Sequence, residues 1–82
     1  MGAGRAALGA VGCKLLLPYR PDLADAARLQ EEMVARVVAE CRAADVLSII
    51  EPIVYGEVPE LGAAVAETAR RLARLGPDVL KL

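Results

Sequence analysis

Three charged residues stand in otherwise apolar runs: Lys14 in Lys14-Leu15-Leu16-Leu17, Glu51 at the end of Val46-Leu47-Ser48-Ile49-Ile50-Glu51, and Lys81 in Asp78-Val79-Leu80-Lys81-Leu82. Brought together, two amines and one carboxylate can do amine catalysis. A lysine attacks a carbonyl only as the neutral amine, and a second ammonium nearby or partial burial favours that form. A carboxylate between the two can carry protons while a carbinolamine loses water and a C–C bond breaks. Such a cluster is costly in a low-dielectric site unless its charges are paired. A plain ion pair at a strand end is the competing explanation for each residue taken alone.

These residues need elements that bring them side by side. The three runs are near-continuously apolar, as strands are when both sheet faces are covered. Each gap is long enough for a strand–helix–strand unit, which takes about 30 residues or more. The first helix is predicted from Asp22 to Ala44, with Asp22 as its N-cap after Pro21. Its apolar stripe is Ala27, Gln30, Val34, Val37, Val38 and Cys41, and Glu32 and Arg36 stand at favourable i,i+4 spacing outside it. The second is predicted from Pro59 to Leu75, with a stripe of Leu61, Val65, Ala69 and Leu72 beside Thr68. Gly76-Pro77 ends it. Residues 1–12 read as the end of an earlier helix and its turn, with Gly9 and Gly12 in the loop.

Strand, helix, strand, helix, strand implies a parallel sheet with crossover helices. Side chains alternate along a strand, so Lys14 shares a face with Leu16, Glu51 with Ile49, and Lys81 with Val79. Leu15, Ile50 and Leu80 then face the helices. If successive strands are neighbours, the three charged groups converge on the face away from the helices.

Composition narrows the alternatives. The chain has 82 residues, one small domain at most, and carries a net charge of −1. It has no basic block and 2 Tyr as its only aromatics, so nucleic acid is not an expected partner. It has no run near the roughly 18 apolar residues of a membrane span. The short, Gly-interrupted start, Met1 to Gly12, is a poor signal peptide, and Ala6 stands where a myristoylation site wants Ser or Thr. A cytoplasmic protein is expected. With no His and no ligand spacing around Cys13 or Cys41, no metal and no cofactor are expected. The two cysteines read as small, reduced core residues.

The segments Lys14-Leu-Leu-Leu-Pro-Tyr-Arg-Pro-Asp22, Ile49-Ile-Glu-Pro-Ile-Val-Tyr55 and Asp78-Val-Leu-Lys-Leu82 resemble the class I tagatose-1,6-bisphosphate aldolase family, which includes sulfofructose-phosphate aldolase-like members. The resemblance runs from about Gly9 to Leu82, with the three motifs in order. It implies a TIM (β/α)8 barrel, of which residues 1–82 would be an α/β, parallel βαβαβ fragment around strands four to six, incomplete at both ends. It implies retro-aldol cleavage of a ketose phosphate or bisphosphate through a lysine Schiff base. Residue by residue, Lys81 matches the Schiff-base lysine and Glu51 the general acid and base. Lys14 matches the strand lysine that contacts substrate oxygens and tunes the electrostatics.

Tyr19, Arg20 and Tyr55 lie just past strand ends, where a barrel's active site sits, but loop packing is the expected role for each. The loop and helix after Glu51 are short beside the longer-looped sugar-bisphosphate members, which leaves the substrate subgroup open. The phosphate-binding loops after strands seven and eight would fall outside the chain. A fragment of this kind is expected to be inactive alone and to self-associate through open strand edges. Two other readings compete: a small α/β interaction or binding module, and a barrel enzyme that uses a Lys–Glu pair for proton abstraction without a Schiff base.

Overall fold

A computed structural model describes residues 12–82. The helix-and-turn reading of the first twelve residues, and the leader and myristoylation readings with it, lie outside the described residues, except at Gly12. Gly12 is not a loop residue: it opens the first strand.

The elements follow in the order β1 (Gly12–Tyr19), α1 (Ala24–Ala43), β2 (Leu47–Val54), α2 (Leu61–Ala73) and β3 (Val79–Leu80). The sheet order is β1-β2-β3, and both pairings are parallel. The fold is therefore the three-stranded parallel βαβαβ arrangement, with each strand beside the next in sequence. β1 pairs with β2 along its whole length, from Gly12 opposite Leu47 to Tyr19 opposite Val54. β3 pairs only through Val79 opposite Ile49 and Leu80 opposite Ile50.

Pro52 limits what β2 can offer toward β3 beyond Ile50. The Ile50 carbonyl accepts the Lys81 N–H at 2.9 Å, so Ile50 bonds toward β3. Two residues on, Pro52 faces the same side and has no N–H to give. A proline is tolerated in a central strand only where its missing donor has no strand to meet.

The core lies between one sheet face and the helices. Leu17, Tyr19 and Ile50 from the strands meet Ala27, Val34 and Val38 from α1 and Leu72 from α2, all buried, with Leu15, Val37, Leu75 and Leu80 packed partly against them. Each fully buried aliphatic side chain stabilises the fold by about 1.5–3 kcal/mol. The apolar stripe of α1 is the one its spacing predicts, ending in buried Cys41.

The helix ends and the second stripe differ from the sequence reading. Asp22 does not cap α1, which begins at Ala24 with Leu23 at the N-cap and no side-chain cap. The Asp22 carboxylate accepts instead from Arg20 Nε at 3.0 Å and Nη2 at 2.8 Å. A charged bidentate partner outcompetes neutral backbone amides for a carboxylate. This pairing holds Asp22 below the usual carboxylate range. Helix α2 is shorter than expected at both ends. It buries Ala64, Thr68 and Leu72, while Leu61 and Val65 are exposed. A buried Thr removes the apparent mismatch, because its hydroxyl donates to the Ala64 carbonyl at 2.7 Å and so can face the core. Gly76 terminates the helical turn at φ 79°, the left-handed conformation that glycine takes at low cost. Glu32 is met by Arg28, 3.6 Å away, one turn before it.

Cys13 is also a correction: it is exposed, whereas Cys41 is buried, and both are free thiols. Among the described residues, no helix is long and apolar enough to cross a membrane.

One polar contact ties the short third strand down. Asp78 accepts from the Ser48 N–H at 2.9 Å and lies 3.3 Å from the Ser48 hydroxyl, while the Asp78 N–H donates to Ser48 Oγ at 3.0 Å. Ser48 is buried, so water cannot replace a lost partner there. Asp78→Ala is expected to destabilise the fold by about 1–3 kcal/mol, the cost of leaving a buried donor unsatisfied. A urea titration should show the lower midpoint. An unchanged midpoint would mean that the two paired residues of β3 hold the strand without this clamp.

Candidate active site

The backbone decides which way each charged side chain points. Leu17, Tyr19, Ser48 and Ile50 are buried on the helix side of the sheet, with Leu15 and Leu80 partly buried beside them. Alternation sends Lys14, Glu51 and Lys81 to the other face. Glu51 sits in the central strand opposite Leu16 of β1. Continuing the β2–β3 register by one residue puts Lys81 opposite Glu51. Lys14 is two residues before Leu16 and reaches Glu51 diagonally.

The contacts follow this register. Lys14 Nζ lies 2.7 Å from Glu51 Oε1. That oxygen is shielded from water, and the Lys14 ammonium is placed directly against it. The Glu51 side chain as a whole is partly open, at 30% exposure, and Lys14 is about half open at 47%. The carboxyl is held below the usual glutamate range, first by its contact with Lys14, against a desolvation cost, and with further help from the charges of Lys14 and Lys81. Lys81 is exposed and electrostatically coupled to Glu51. Thus one carboxylate stands between two ammonium groups, and it is ionised at neutral pH.

Arg20 organises the loops at the strand C-termini. Its guanidinium donates to the Tyr55 carbonyl at 3.0 Å and the Glu57 carbonyl at 3.4 Å, while its own N–H donates to Gln30 Oε1 at 3.2 Å. It also lies over the Tyr55 ring, 5.5 Å from the centroid. One side chain therefore ties the loop after β1 to the loop after β2, next to the open ends of the strands that carry Lys14 and Glu51.

Tyr19 points the other way, into the core. It is fully buried and donates to Glu31 Oε2 at 2.5 Å. Burial, then the Glu31 hydrogen bond, pushes its hydroxyl up to about 12. Glu31 in turn meets Arg71 at 3.4 Å, and Arg71 pairs with Glu67 at 2.6 Å. Tyr19, Arg20 and Tyr55 are all occupied in packing and loop tethering.

Sequence reasoning missed the polar supports of the site. The Ser48–Asp78 clamp was hidden because Ser48 sits in an apolar run and Asp78 just before one. The Arg20–Tyr55 tether joins residues 35 apart. The only available signal was that both lie immediately after strands.

Among the described residues, no three His, Cys, Asp or Glu side chains gather as a metal centre would require. A cleft lined by Pro21, Val58, Pro59, Ala63 and Glu67 includes none of the three charged residues and is separate from them. What the site face offers is an ion pair, a neighbouring lysine and exposed apolar side chains: Leu16, Ile53 and Val79 are all more than two-fifths open.

Comparison with curated proteins and with solved structures gave no match. A family model described as DeoC/LacD family aldolase matches residues 3–82. That match spans every element that positions Lys14, Glu51 and Lys81, and the chain belongs to the DeoC/LacD family of aldolases.

Proposed function

We propose that this chain supplies the catalytic strands of a class I aldolase that cleaves a ketose phosphate or bisphosphate, in the manner of the tagatose-1,6-bisphosphate aldolases and their sulfofructose-phosphate relatives. The observation that carries this reading is the carboxylate of Glu51 held between Lys14, at 2.7 Å, and Lys81, its register neighbour.

The neutral amine of Lys81 attacks the ketose carbonyl. The new C–N bond leaves a proton on nitrogen and negative charge on oxygen. Glu51, ionised at rest, moves the nitrogen proton to that oxygen to give the neutral carbinolamine. It then takes a second proton from solvent and delivers it to the hydroxyl, so water leaves and the protonated iminium forms with Glu51 ionised again. The same carboxylate then accepts the proton of the hydroxyl on the carbon beyond the scissile bond. That bond breaks, the aldehyde leaves, and its electron pair enters the iminium as an enamine. Protonation on carbon and hydrolysis release dihydroxyacetone phosphate or a similar triose and restore the lysine. Lys14 keeps Glu51 ionised and offers its ammonium to substrate oxygens.

Trapping tests the reading directly. A barrel protein that carries this sequence, incubated with dihydroxyacetone phosphate and sodium borohydride, is expected to gain a reduced adduct on Lys81 in the peptide map. An active aldolase that gives no adduct on any lysine would overturn the Schiff base. An adduct on another lysine would overturn the assignment.

Self-association belongs to the same proposal. The helices cover one face of the sheet, and the outer edges of β1 and β3 have no partner strand among the described residues. Unpaired edges next to exposed apolar side chains template further strand pairing. A polypeptide of these 82 residues is expected to sediment as oligomers at micromolar concentration. A sharp monomer boundary with cooperative melting would reject this and favour an independent α/β module.

A further inference from the structure

The two cysteines are far apart in sequence and close in the fold. Cys13 lies on β1 at an alternate position to Leu15, Leu17 and Tyr19, so it belongs to the helix side of the sheet. Cys41 is buried on the inward stripe of α1, after Val34 and Val38. Two independent backbone constraints bring them together. The Cys41 carbonyl accepts the Val46 N–H at 2.8 Å, which fixes the end of α1 just before β2 begins. Two residues later, Ser48 is the register partner of Cys13. Cys41, on the inward face of the last turn of α1, is thereby set near the start of β1, where Cys13 stands on the helix side, and Cys13 is among the neighbours that raise its thiol.

Access to the two thiols differs. Cys13 is exposed, and Cys41 is 7% exposed. Burial, followed by the neighbouring Cys13, raises the Cys41 thiol above its ordinary value. Cys41 is therefore a poor first target for an oxidant, while Cys13 can be reached from solvent.

We propose that Cys13 and Cys41 form a reactive dithiol that closes to an intrachain disulfide when it meets a low-molecular-weight disulfide such as oxidised glutathione. The Cys13 thiolate attacks one sulfur of the oxidant, a new S–S bond forms, and one reduced glutathione leaves. Cys41, after loss of its proton to solvent, attacks the Cys13 sulfur and expels the second glutathione. The two protein thiols are oxidised by two electrons, and one oxidant disulfide becomes two thiols. The bond staples the start of β1 to the last turn of α1. It lies on the helix side of the sheet, so it does not depend on the assignment of Lys14, Glu51 and Lys81.

The test is intact-mass analysis after exposure to oxidised glutathione, with an acid quench and denaturation before measurement. Wild type is expected to lose two hydrogens at monomer mass, and both thiols should resist alkylation. Cys41→Ser should instead retain one glutathione on Cys13, and Cys13→Ser should react far more slowly. In urea, the fast loss of two hydrogens should give way to mixed disulfides, because only the fold holds the sulfurs together. The proposal is overturned if wild type accumulates glutathione on Cys13 as Cys41→Ser does. It is equally overturned if the main product is a Cys13–Cys13 dimer, or if closure is as fast in urea as in buffer.

Discussion

Lys81→Met is expected to reduce retro-aldol turnover by about 10⁴-fold or more in a barrel protein carrying this sequence, the scale seen when a covalent nucleophile is removed. Methionine keeps most of the unbranched stem and deletes only the ammonium. The backbone at this position is held independently of the side chain, since the Lys81 N–H donates to the Ile50 carbonyl at 2.9 Å. β3 should therefore stay in register, and stability should change by no more than about 0.5 kcal/mol, as at other open surface positions. A large kinetic loss with an unchanged unfolding midpoint is the expected combination, together with the disappearance of the borohydride adduct. If the variant keeps a tenth or more of wild-type turnover, Lys81 is not the nucleophile. If turnover falls while wild type has never given an adduct, the Lys–Glu proton-abstraction chemistry moves ahead of the Schiff base.

The same residues show what the sequence makes legible and what it hides. The continuous apolar runs placed the three strands, and the 2.0 and 3.6 periodicities placed Leu15, Ile50, Leu80, Val34 and Val38 on the core side. Those signals are local, because a strand or helix repeats its facing choice every few residues. The parallel order follows from chain connectivity alone. The Lys14–Glu51 contact at 2.7 Å was reachable by combining these two signals with the assumption that successive strands are neighbours.

What stayed hidden is non-local and polar. Asp22 is a good N-cap by type, yet Arg20 takes its carboxylate, and no rule of spacing decides between a neutral amide and a guanidinium two residues away. Leu61 and Val65 look like a buried stripe, yet the face of α2 that is buried runs through Ala64, Thr68 and Leu72. The Ser48–Asp78 clamp and the Cys13–Cys41 approach both require the register of one strand against another. A single sequence does not print that register.

Glu51→Gln carries the second large effect, a loss of about 10² to 10⁴ in turnover, the usual contribution of a positioned proton carrier. The amide keeps the shape and an acceptor oxygen but can neither take nor return a proton. The nucleophile is intact in this variant, so borohydride should still trap an adduct, only more slowly. That outcome separates Glu51 from Lys81, whose removal abolishes trapping. The pH dependence supplies a further distinction. Contact with Lys14 comes first among the causes that hold the Glu51 carboxyl below its ordinary value of 4.5, and Lys81 adds to it. A carboxylate depressed in the folded state contributes stability that is complete above the unfolded value and is lost as pH falls through the folded value. The Lys14–Glu51 pair should therefore persist into acid below the ordinary glutamate range, and the acid limb of the rate profile should lie there too. Lys14→Met removes the strongest of these influences and should move the acid limb upward, toward or beyond the ordinary glutamate position, because desolvation then acts with less opposition. An acid limb that stays in place in Lys14→Met would mean that the group titrating there is not Glu51. A limb that moves while turnover on its plateau changes little would confine Lys14 to tuning the carboxylate, and a plateau that also falls would give its ammonium a direct part in holding substrate oxygens.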